Sequence, residues 1–265
     1  MIDKKVLILE TIIKEYIKNP APVSSKQLQT KLEIKLSSAT IRNYFKKMVE
    51  EGKLEQKHIS SGRVPTVSTL KKYWTKKLLN IGPVKISKKE NIKDAVKNYR
   101  IFCEFKFFES DKLLEVNNID NKFLLLVFER KEFVTPYTDV LYRFFNEFKG
   151  TDFSDLIRVC EQLGLTALSK KLSILSNEGI IREGFEELIS IISNNSKWGS
   201  GFLKDIMEGN YFDKVEKGVH FKHIVPEGYL ALKSDAQIED KEAKMLCIGH
   251  LSRDFESFLQ QMQKE

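Results

Sequence analysis

The sequence predicts an α+β protein with more than one domain, in which a basic N-terminal domain precedes a larger mixed domain. The chain has 265 residues, which exceeds the usual size of one domain, and its 42% hydrophobic content is ample for real cores. Residues 1–80 contain 17 Lys+Arg against 7 Asp+Glu, a net charge of +10, whereas the rest of the chain carries −3 of the total of +7. Short apolar runs of strand type, flanked by segments of helical periodicity, complete the α+β prediction.

The first two helices are predicted from apolar spacing and from residues that begin or end helices. Apolar residues recur at helical intervals over residues 6–17, and the pattern ends near Pro20. A second, short helix is predicted to open at Ser24 or Ser25. Ser24 and Gln27 have the spacing of a capping box, in which the first side chain accepts an otherwise unpaired backbone N–H.

A third amphipathic helix is predicted to begin where Ser37 or Ser38 can cap it. Its apolar positions recur at helical spacing and predict one buried stripe: Ile41, Phe45, Met48 and Val49. The other side offers donors for base edges and cations for phosphates: Thr40, Arg42, Asn43, Lys46 and Lys47. A core helix with an ordinary solvated charged face would show the same pattern, so this helix alone does not decide the function.

The segment after this helix favours DNA binding. Gly52 is well placed to end the helix, and residues 53–56 and 63–65 can pair as short strands across a Ser-Ser-Gly turn. Three basic side chains decorate this hairpin: Lys57, His58 and Arg63. A winged helix-turn-helix binds DNA with a polar helix and an adjacent basic hairpin. Because the basic charge is also confined to this end of the chain, we predict a winged-helix DNA-binding domain over residues 1–80.

The predicted DNA-binding residues share the third helix and the hairpin: Ser37, Ser38, Thr40, Arg42, Asn43, Lys46, Lys47, Lys57, His58 and Arg63. We assign base readout to Thr40, Arg42 and Asn43, with Ser38 nearby. The lysines, His58 and Arg63 are predicted mainly to contact the phosphate backbone.

The cysteine and histidine patterns do not favour an enzyme. Cys103, Cys160 and Cys247 are odd in number and far apart in sequence, which predicts reduced, buried thiols. His220 and His223 could share a metal on one helix face, but no nearby cysteine or carboxylate cluster completes a site. The chain also lacks a glycine loop of the Walker or dinucleotide type. We predict no enzymatic activity, no cofactor and no bound metal.

The sequence shows no sign of membrane insertion or export. No stretch approaches the roughly 20 continuous apolar residues that a spanning helix needs. The N-terminus lacks the apolar core of a signal peptide. The expected location is therefore the cytoplasm.

A hinge or short linker is predicted around residues 79–89, where Gly82-Pro83 breaks the helix and a polar, lysine-containing run follows. Beyond it, strands are predicted at residues 123–128 (FLLLVF, typical of a buried strand), 132–141, 229–233 and 245–248. Helices are predicted at residues 91–102, 153–163, 168–175, 185–192 and 253–263, with a loop at 193–201. Strands flanked by helices again indicate an α+β domain.

Several of these segments resemble one family. PVSSKQL at residues 22–28, SSATIRN at 37–43 and LEQKHISSGRVPT at 54–66, with a following helix that contains Tyr73, resemble the heat-inducible transcription repressors called HrcA. The matches are ordered and correctly spaced, and they cover about the first third of the chain. Further along, residues 144–157 and 248–259 are similar to family segments, although His250 occupies a usual proline position.

The resemblance implies a domain organisation and a function. A GAF-like α+β domain would consist of residues 81–165 and 213–265, interrupted by a mainly helical inserted region, residues 166–212, used for dimerisation. The protein would be a homodimer that binds double-stranded DNA at an inverted-repeat operator and represses heat-shock (chaperone) genes until stress. Regulation by the GroE chaperonin is implied as well.

Two other functions stay open at this point. A winged-helix transcription regulator controlled by a small ligand in its C-terminal domain would gain thermal stability with that ligand, whereas chaperonin dependence would favour the repressor. A winged-helix module that binds RNA or only proteins would show no preference for a DNA inverted repeat.

Overall fold

The computed structural model describes residues 3–56, 62–107, 110–176, 179–195 and 198–264. The helices are α1 (Lys4–Lys18), α2 (Ser25–Lys31), α3 (Ser38–Glu50), α4 (Val67–Leu78), α5 (Glu90–Tyr99), α6 (Asp139–Glu147), α7 (Phe153–Gln162), α8 (Thr166–Ser176), α9 (Phe185–Asn194), α10 (Gly199–Met207), α11 (Asn210–Lys214) and α12 (Phe255–Met262). The strands are β1 (Leu54–Glu55), β2 (Val64–Pro65), β3 (Val84–Ile86), β4 (Phe102–Phe107), β5 (Leu113–Ile119), β6 (Phe123–Phe128), β7 (Glu132–Pro136), β8 (Ile180–Glu183), β9 (Gly218–His220), β10 (Tyr229–Ile238) and β11 (Lys241–His250). The protein is therefore mixed α+β, as predicted.

The chain forms two compact units. The first unit comprises Met1–Phe105, Arg182–Asp240 and Lys244–Glu265, and the second comprises Lys106–Ile181 and Lys241–Ala243. The region predicted as inserted, residues 166–212, is divided between them, because residues 166–181 belong to the second unit and residues 182–212 to the first.

The N-terminal helices begin where the sequence offers a side-chain cap. Ser24 Oγ accepts the backbone N–H of Gln27 at 3.1 Å, and this confirms the predicted start of α2. Ser37 caps α3 in the same way, and Gly52, at a φ of +66°, follows its C-terminal end. The apolar stripes of α1, α2 and α3 meet in one buried core: Ile8, Ile12, Val23, Leu28, Ile41, Phe45, Met48 and Leu54. We call α1–α4 with β1 and β2 the head.

The largest sheet lies beyond the head and has the strand order β3-β10-β11-β4-β8, with β9 pairing with β10. The segment predicted as a linker contains β3, which runs parallel to β10 and pairs Val84 with Ala236. Val84 and Ile86 are buried against this sheet, so the prediction of a hinge over residues 79–89 was wrong for its central part. The lysine between them points the other way and is exposed, as period-2 alternation requires.

Several predicted boundaries need correction. The helix predicted over residues 91–102 ends at Tyr99, because Arg100 takes the left-handed conformation that closes a helix, and Phe102 then begins β4. The strand predicted over residues 132–141 ends at Pro136, because Thr138 caps α6. The loop predicted over residues 193–201 is shorter, since α9 continues to Asn194 and α10 begins at Gly199.

The second unit contains an antiparallel sheet in the order β5-β6-β7. The FLLLVF run is β6, but it alternates instead of being buried on both sides: Leu124, Leu126 and Phe128 are buried, whereas Phe123 is 49% exposed. One face of an antiparallel sheet commonly packs on the core while the other faces water. Here the buried face joins residues of α6, α7 and α8, among them Phe145, in one core.

Within the described ranges, no helix is both long and apolar enough to cross a bilayer.

Candidate nucleic-acid interface

The pair α2 and α3 is held together by two side-chain hydrogen bonds. The Oγ atoms of Ser25 and Ser38 lie 2.8 Å apart and share one hydrogen bond between the first turns of the two helices. Gln29 Nε2 donates to the carbonyl of Leu36 at 2.9 Å, which closes the connection at its other side. Because one contact joins the two helices and the other ties α2 to the segment just before α3, together they fix the direction in which α3 leaves α2.

The helix α3 has two distinct faces. Ile41, Phe45 and Met48 are buried in the head core, which confirms the predicted apolar stripe, while Val49 is only half-buried. Four polar side chains on the other side are exposed: Arg42, Asn43, Lys46 and Lys47. We call these four residues the α3 face. Thr40 lies at its edge and is half-buried.

The cations of the α3 face differ in their pairing from the lysines beyond the end of α3. Among the residues that the structure describes, no acidic side chain forms an ion pair with Arg42, Lys46 or Lys47. By contrast, Glu51, just past the end of α3, contacts Lys5 and lies 2.8 Å from Lys53 Nζ. These two lysines lower the pKa of Glu51 to about 2. Among the described residues, the head therefore has paired charge beyond the end of α3 and unpaired positive charge on the α3 face, which suits an anionic partner.

The hydroxyl groups at the start of α3 are engaged within the protein. Ser37 Oγ accepts the backbone N–H of Thr40 at 3.0 Å and lies 2.9 Å from Thr40 Oγ1. Ser38 is the partner of Ser25. Ser37 and Ser38 thus have clear structural roles, whereas Arg42 and Asn43 have exposed side chains that form no such hydrogen bond with another described residue. A hydroxyl keeps additional acceptor capacity, so these structural roles are compatible with a further contact.

The base of the predicted hairpin is present, and it is anchored to the start of α2. Strands β1 and β2 pair in antiparallel fashion, with Leu54 opposite Pro65. Val23 adds an antiparallel bridge to Arg63, in which each N–H donates to the other's carbonyl at 2.9 Å. A Cβ at Gly62 would lie 2.4 Å from the backbone of Val23, so only glycine allows this approach.

The three hairpin residues predicted to bind DNA have different outcomes. Lys57 and His58 lie outside the described residues. Arg63 lies at the base of the hairpin, is half-buried, and its burial lowers the pKa of its guanidinium. Sequence reasoning missed the bridge from Val23 and the Ser25–Ser38 hydrogen bond, because both join residues that carry no local signal of pairing. The glycine at position 62 was the one available hint.

The structure also tests the predictions for the cysteines and for the histidine pair. Cys103, Cys160 and Cys247 are buried and free, yet the Sγ atoms of Cys103 and Cys247 lie 2.8 Å apart despite their separation in sequence. Burial raises the pKa of Cys103 well above its ordinary value. His220 lies in β9 and His223 has a φ of +68°, so the suggested common helix face does not exist. Over the described part of the chain, no group of three or more His, Cys, Asp or Glu residues could hold a metal.

The fold and this site define a class: a mixed α+β protein whose N-terminal helical head presents a cationic helix face beside an anchored pair of short strands. The family model described as the HrcA C-terminal domain matches residues 74–265. Because this match covers well over half of the chain, the protein belongs to the HrcA family.

Individual relatives agree with this assignment. The chain is 29% identical over 266 residues to the heat-inducible transcription repressor HrcA of Helicobacter pylori strain J99, covering 100% of this chain and 96% of the relative. A repressor of the same name from Pediococcus pentosaceus is 43% identical over 88 residues, which cover 33% of this chain and 25% of the relative. A crystal structure of a hypothetical protein, at 19% identity, matches with a TM-score of 0.54 over 99% of this chain and 96% of its own, which is a likeness of fold.

Proposed function

We propose that this protein represses the transcription of heat-shock (chaperone) genes by binding, as a homodimer, to an inverted repeat in double-stranded DNA. The observation that carries the proposal is the α3 face, where three exposed cations, which have no acidic partner among the described residues, surround Asn43. Membership in the HrcA family adds the direction of regulation, because the relatives are named heat-inducible transcription repressors.

The head acts in this proposal as a winged helix. Its element order of three helices, a hairpin and a fourth helix supports that description, as does the Val23–Arg63 bridge that ties the hairpin to α2. In a winged helix the third helix enters the major groove, which is wide enough to admit an α-helix. The hairpin then lies along the neighbouring phosphates.

The residues divide into two roles. Arg42 and Asn43 read base edges, since arginine pairs well with guanine and asparagine with adenine in the major groove. Lys46 and Lys47 neutralise phosphates, together with the hairpin residues Lys57, His58 and Arg63. Ser37, Ser38 and Thr40 hold the first turn of α3 at the DNA, and Thr40 contributes to readout through its remaining hydrogen-bonding capacity.

The rest of the chain supplies the dimer and its regulation. Residues 81–165 and 213–265 act as a GAF-like domain, and residues 166–212 as the inserted dimerisation region. A two-fold dimer places two heads on the two halves of an inverted repeat, so that protein symmetry matches operator symmetry. The GroE chaperonin is the partner that promotes the active form in the cytoplasm. No catalytic step is needed for this function.

The proposal is tested by measuring DNA binding with fluorescence anisotropy. The probe is an inverted repeat from a chaperone promoter, and the control is a scrambled duplex of equal length. Both are titrated at two salt concentrations, with and without GroE chaperonin. A strong preference for the repeat that survives higher salt, and that chaperonin increases, is the expected result. Equal and steeply salt-dependent binding to both duplexes would overturn the repressor and leave a non-specific nucleic-acid module.

A small-molecule screen distinguishes the proposed repressor from the alternative, a transcription regulator that a small ligand controls. Thermal unfolding is followed with a panel of metabolites, because a ligand that binds the folded state raises the unfolding temperature. Under the repressor proposal, no metabolite changes both stability and operator binding, whereas chaperonin changes binding.

A further inference from the structure

Helix α4, the last helix of the head, is joined to the end of β11 by a buried tryptophan. Trp74 has no exposed surface, and its Nε1 donates to the carbonyl of Leu251 at 2.8 Å. Its ring meets the edge of Phe255, with 5.4 Å between the centroids. Leu251 directly follows β11, and Phe255 opens α12. The contact therefore joins residues 177 positions apart, within the first unit.

The other end of α4 is tied to the end of α3. Thr69 Oγ1 donates to the carbonyl of Lys53 at 2.8 Å, and Thr66 Oγ1 donates to that of Gly52 at 2.9 Å. The backbone N–H of Thr66 also donates to Lys53 at 3.1 Å. Because Gly52 and Lys53 come just after the C-cap of α3, the helix α4 is a strut with fixed contacts on both sides.

The acceptor of the Trp74 hydrogen bond is itself held in place. The N–H of Leu251 donates to the carbonyl of Gly228 at 2.8 Å. On either side of it, His250 Nδ1 and Ser252 Oγ lie 2.7 Å apart and close the turn. Lys77 Nζ also lies 3.3 Å from Glu256 Oε1, in an exposed ion pair between α4 and α12. The indole N–H is only a donor, so the Leu251 carbonyl is a defined partner for it in this buried position.

We propose that Trp74 is a positioning residue for operator recognition, because it fixes the direction of α3 relative to the large sheet and so sets the half-site spacing that the protein accepts. This inference rests on the proposed function, since a spacing requirement needs two heads on one inverted repeat. Each added base pair moves a half-site by about 3.4 Å and turns it by about 35° around the DNA axis. A head that α4 holds rigidly cannot move with the displaced half-site, so an altered spacing lowers the affinity. A head on a loosened α4 can move with it, so the affinity falls less.

The competing explanation is that Trp74 only stabilises the fold. A tryptophan with no exposed surface contributes to stability wherever it lies. The two explanations differ in one respect. Loss of stability alone lowers the amount of folded protein for every DNA in equal measure, whereas a loosened strut changes the ratio of affinities between spacings.

The test uses Trp74→Phe in the full-length protein, because phenylalanine keeps an aromatic ring and removes the N–H donor. Dissociation constants are measured for a single half-site, for the wild-type inverted repeat, and for repeats lengthened or shortened by one and two base pairs. The variant is expected to bind the half-site as the wild type does. Its preference for the wild-type spacing is expected to fall by about fivefold or more, within the range of coupling between sites in proteins.

Two further variants separate positioning from stability. Tyr99→Phe is the matched control: it also removes a side-chain donor and keeps an aromatic ring in the same unit, at a half-buried residue of α5 outside residues 166–212, and it should leave the spacing preference unchanged. Thr69→Val removes the hydroxyl that holds the opposite end of α4 and keeps the shape of the side chain. It should relax the spacing preference as Trp74→Phe does, and it decides the matter if Trp74→Phe does not fold.

The outcomes distinguish this inference from the proposed function. If the wild type shows no preference for an inverted repeat over a single half-site, the proposed function fails and this inference fails with it. If the wild type prefers one spacing and both strut variants retain that preference while their unfolding temperatures fall, the inference alone is overturned and Trp74 is only a core residue.

Discussion

The head and the second unit expose different kinds of surface. In the head, the apolar residues Ile41, Phe45 and Met48 of α3 are buried in the core, and the α3 face consists of three cations and one amide. In the second unit, the outward face of the sheet carries Ile119 opposite Phe123 and Leu125 opposite Val134, and three of these four side chains are well exposed. A cationic face is typical of contact with phosphates, and an apolar face is typical of contact with protein. The two regions therefore differ in the kind of partner that their exposed surfaces suit.

The largest expected effect is on stability, and it distinguishes the core of the second unit from the outward face of its sheet. Phe145→Ala removes a fully buried ring from its core and is expected to lower the free energy of unfolding by about 3–5 kcal/mol. Phe123→Ala makes the same chemical change at a side chain that is 49% exposed. It is expected to change stability by about 0.5 kcal/mol or less. Urea unfolding followed by circular dichroism measures both, and equal losses would show that the outward face is covered in solution.

The two regions also differ in how far the sequence predicted them. The head was predicted element by element, because its signals are local: Ser24 and Ser37 cap helices within three residues, and Ile41, Phe45 and Met48 recur on one helix face. Local hydrogen bonds and helical periodicity are what a sequence pattern records directly.

The sheets were predicted only in part, because strand pairing depends on distant residues. Strand β3 is a short segment after Gly82-Pro83, and its partner around Ala236 lies far along the chain. Nothing near Val84 indicates that partner. The run FLLLVF was correctly placed as a strand, but a continuous apolar run does not reveal that one face remains exposed. The hydrogen bond from Trp74 to Leu251 belongs to the same class of long-range contact.

The next effect tests the α3 face as a reader of bases. Asn43→Ala is expected to cost about 1–3 kcal/mol of specific operator binding, the value of one good bidentate base contact. Binding to a scrambled duplex should change little, because the phosphate contacts remain. Lys14→Ala, an exposed change on α1, is the control in the same head. If Asn43→Ala left operator discrimination intact, the proposed orientation of α3 would be wrong.

A smaller effect on DNA binding is expected when one cation of the α3 face is removed. A lysine of the second unit is the control. Lys46→Ala is expected to weaken binding to operator and scrambled duplex alike. It should also reduce the slope of log affinity against log salt concentration by about 0.9, the value of one phosphate contact on duplex DNA. Lys122→Ala, at an exposed position in the second unit, should leave the slope unchanged. If both variants showed the same slope, Lys46 would not contact the phosphate backbone.

The smallest effect concerns the paired charges of the head. Lys5 and Lys53 lower the pKa of Glu51 to about 2, so this carboxylate contributes stability above its ordinary pKa of 4.5, and that contribution is lost as the pH falls toward 2. Glu51→Gln should therefore flatten the pH dependence of the free energy of unfolding between these two values. The difference at neutral pH should be small and should shrink further in high salt, because the group is exposed and screened. Parallel pH profiles for the two proteins would refute the pairing. A flattened profile with unchanged DNA affinity would show that the head uses its paired cations for stability and its unpaired ones for DNA.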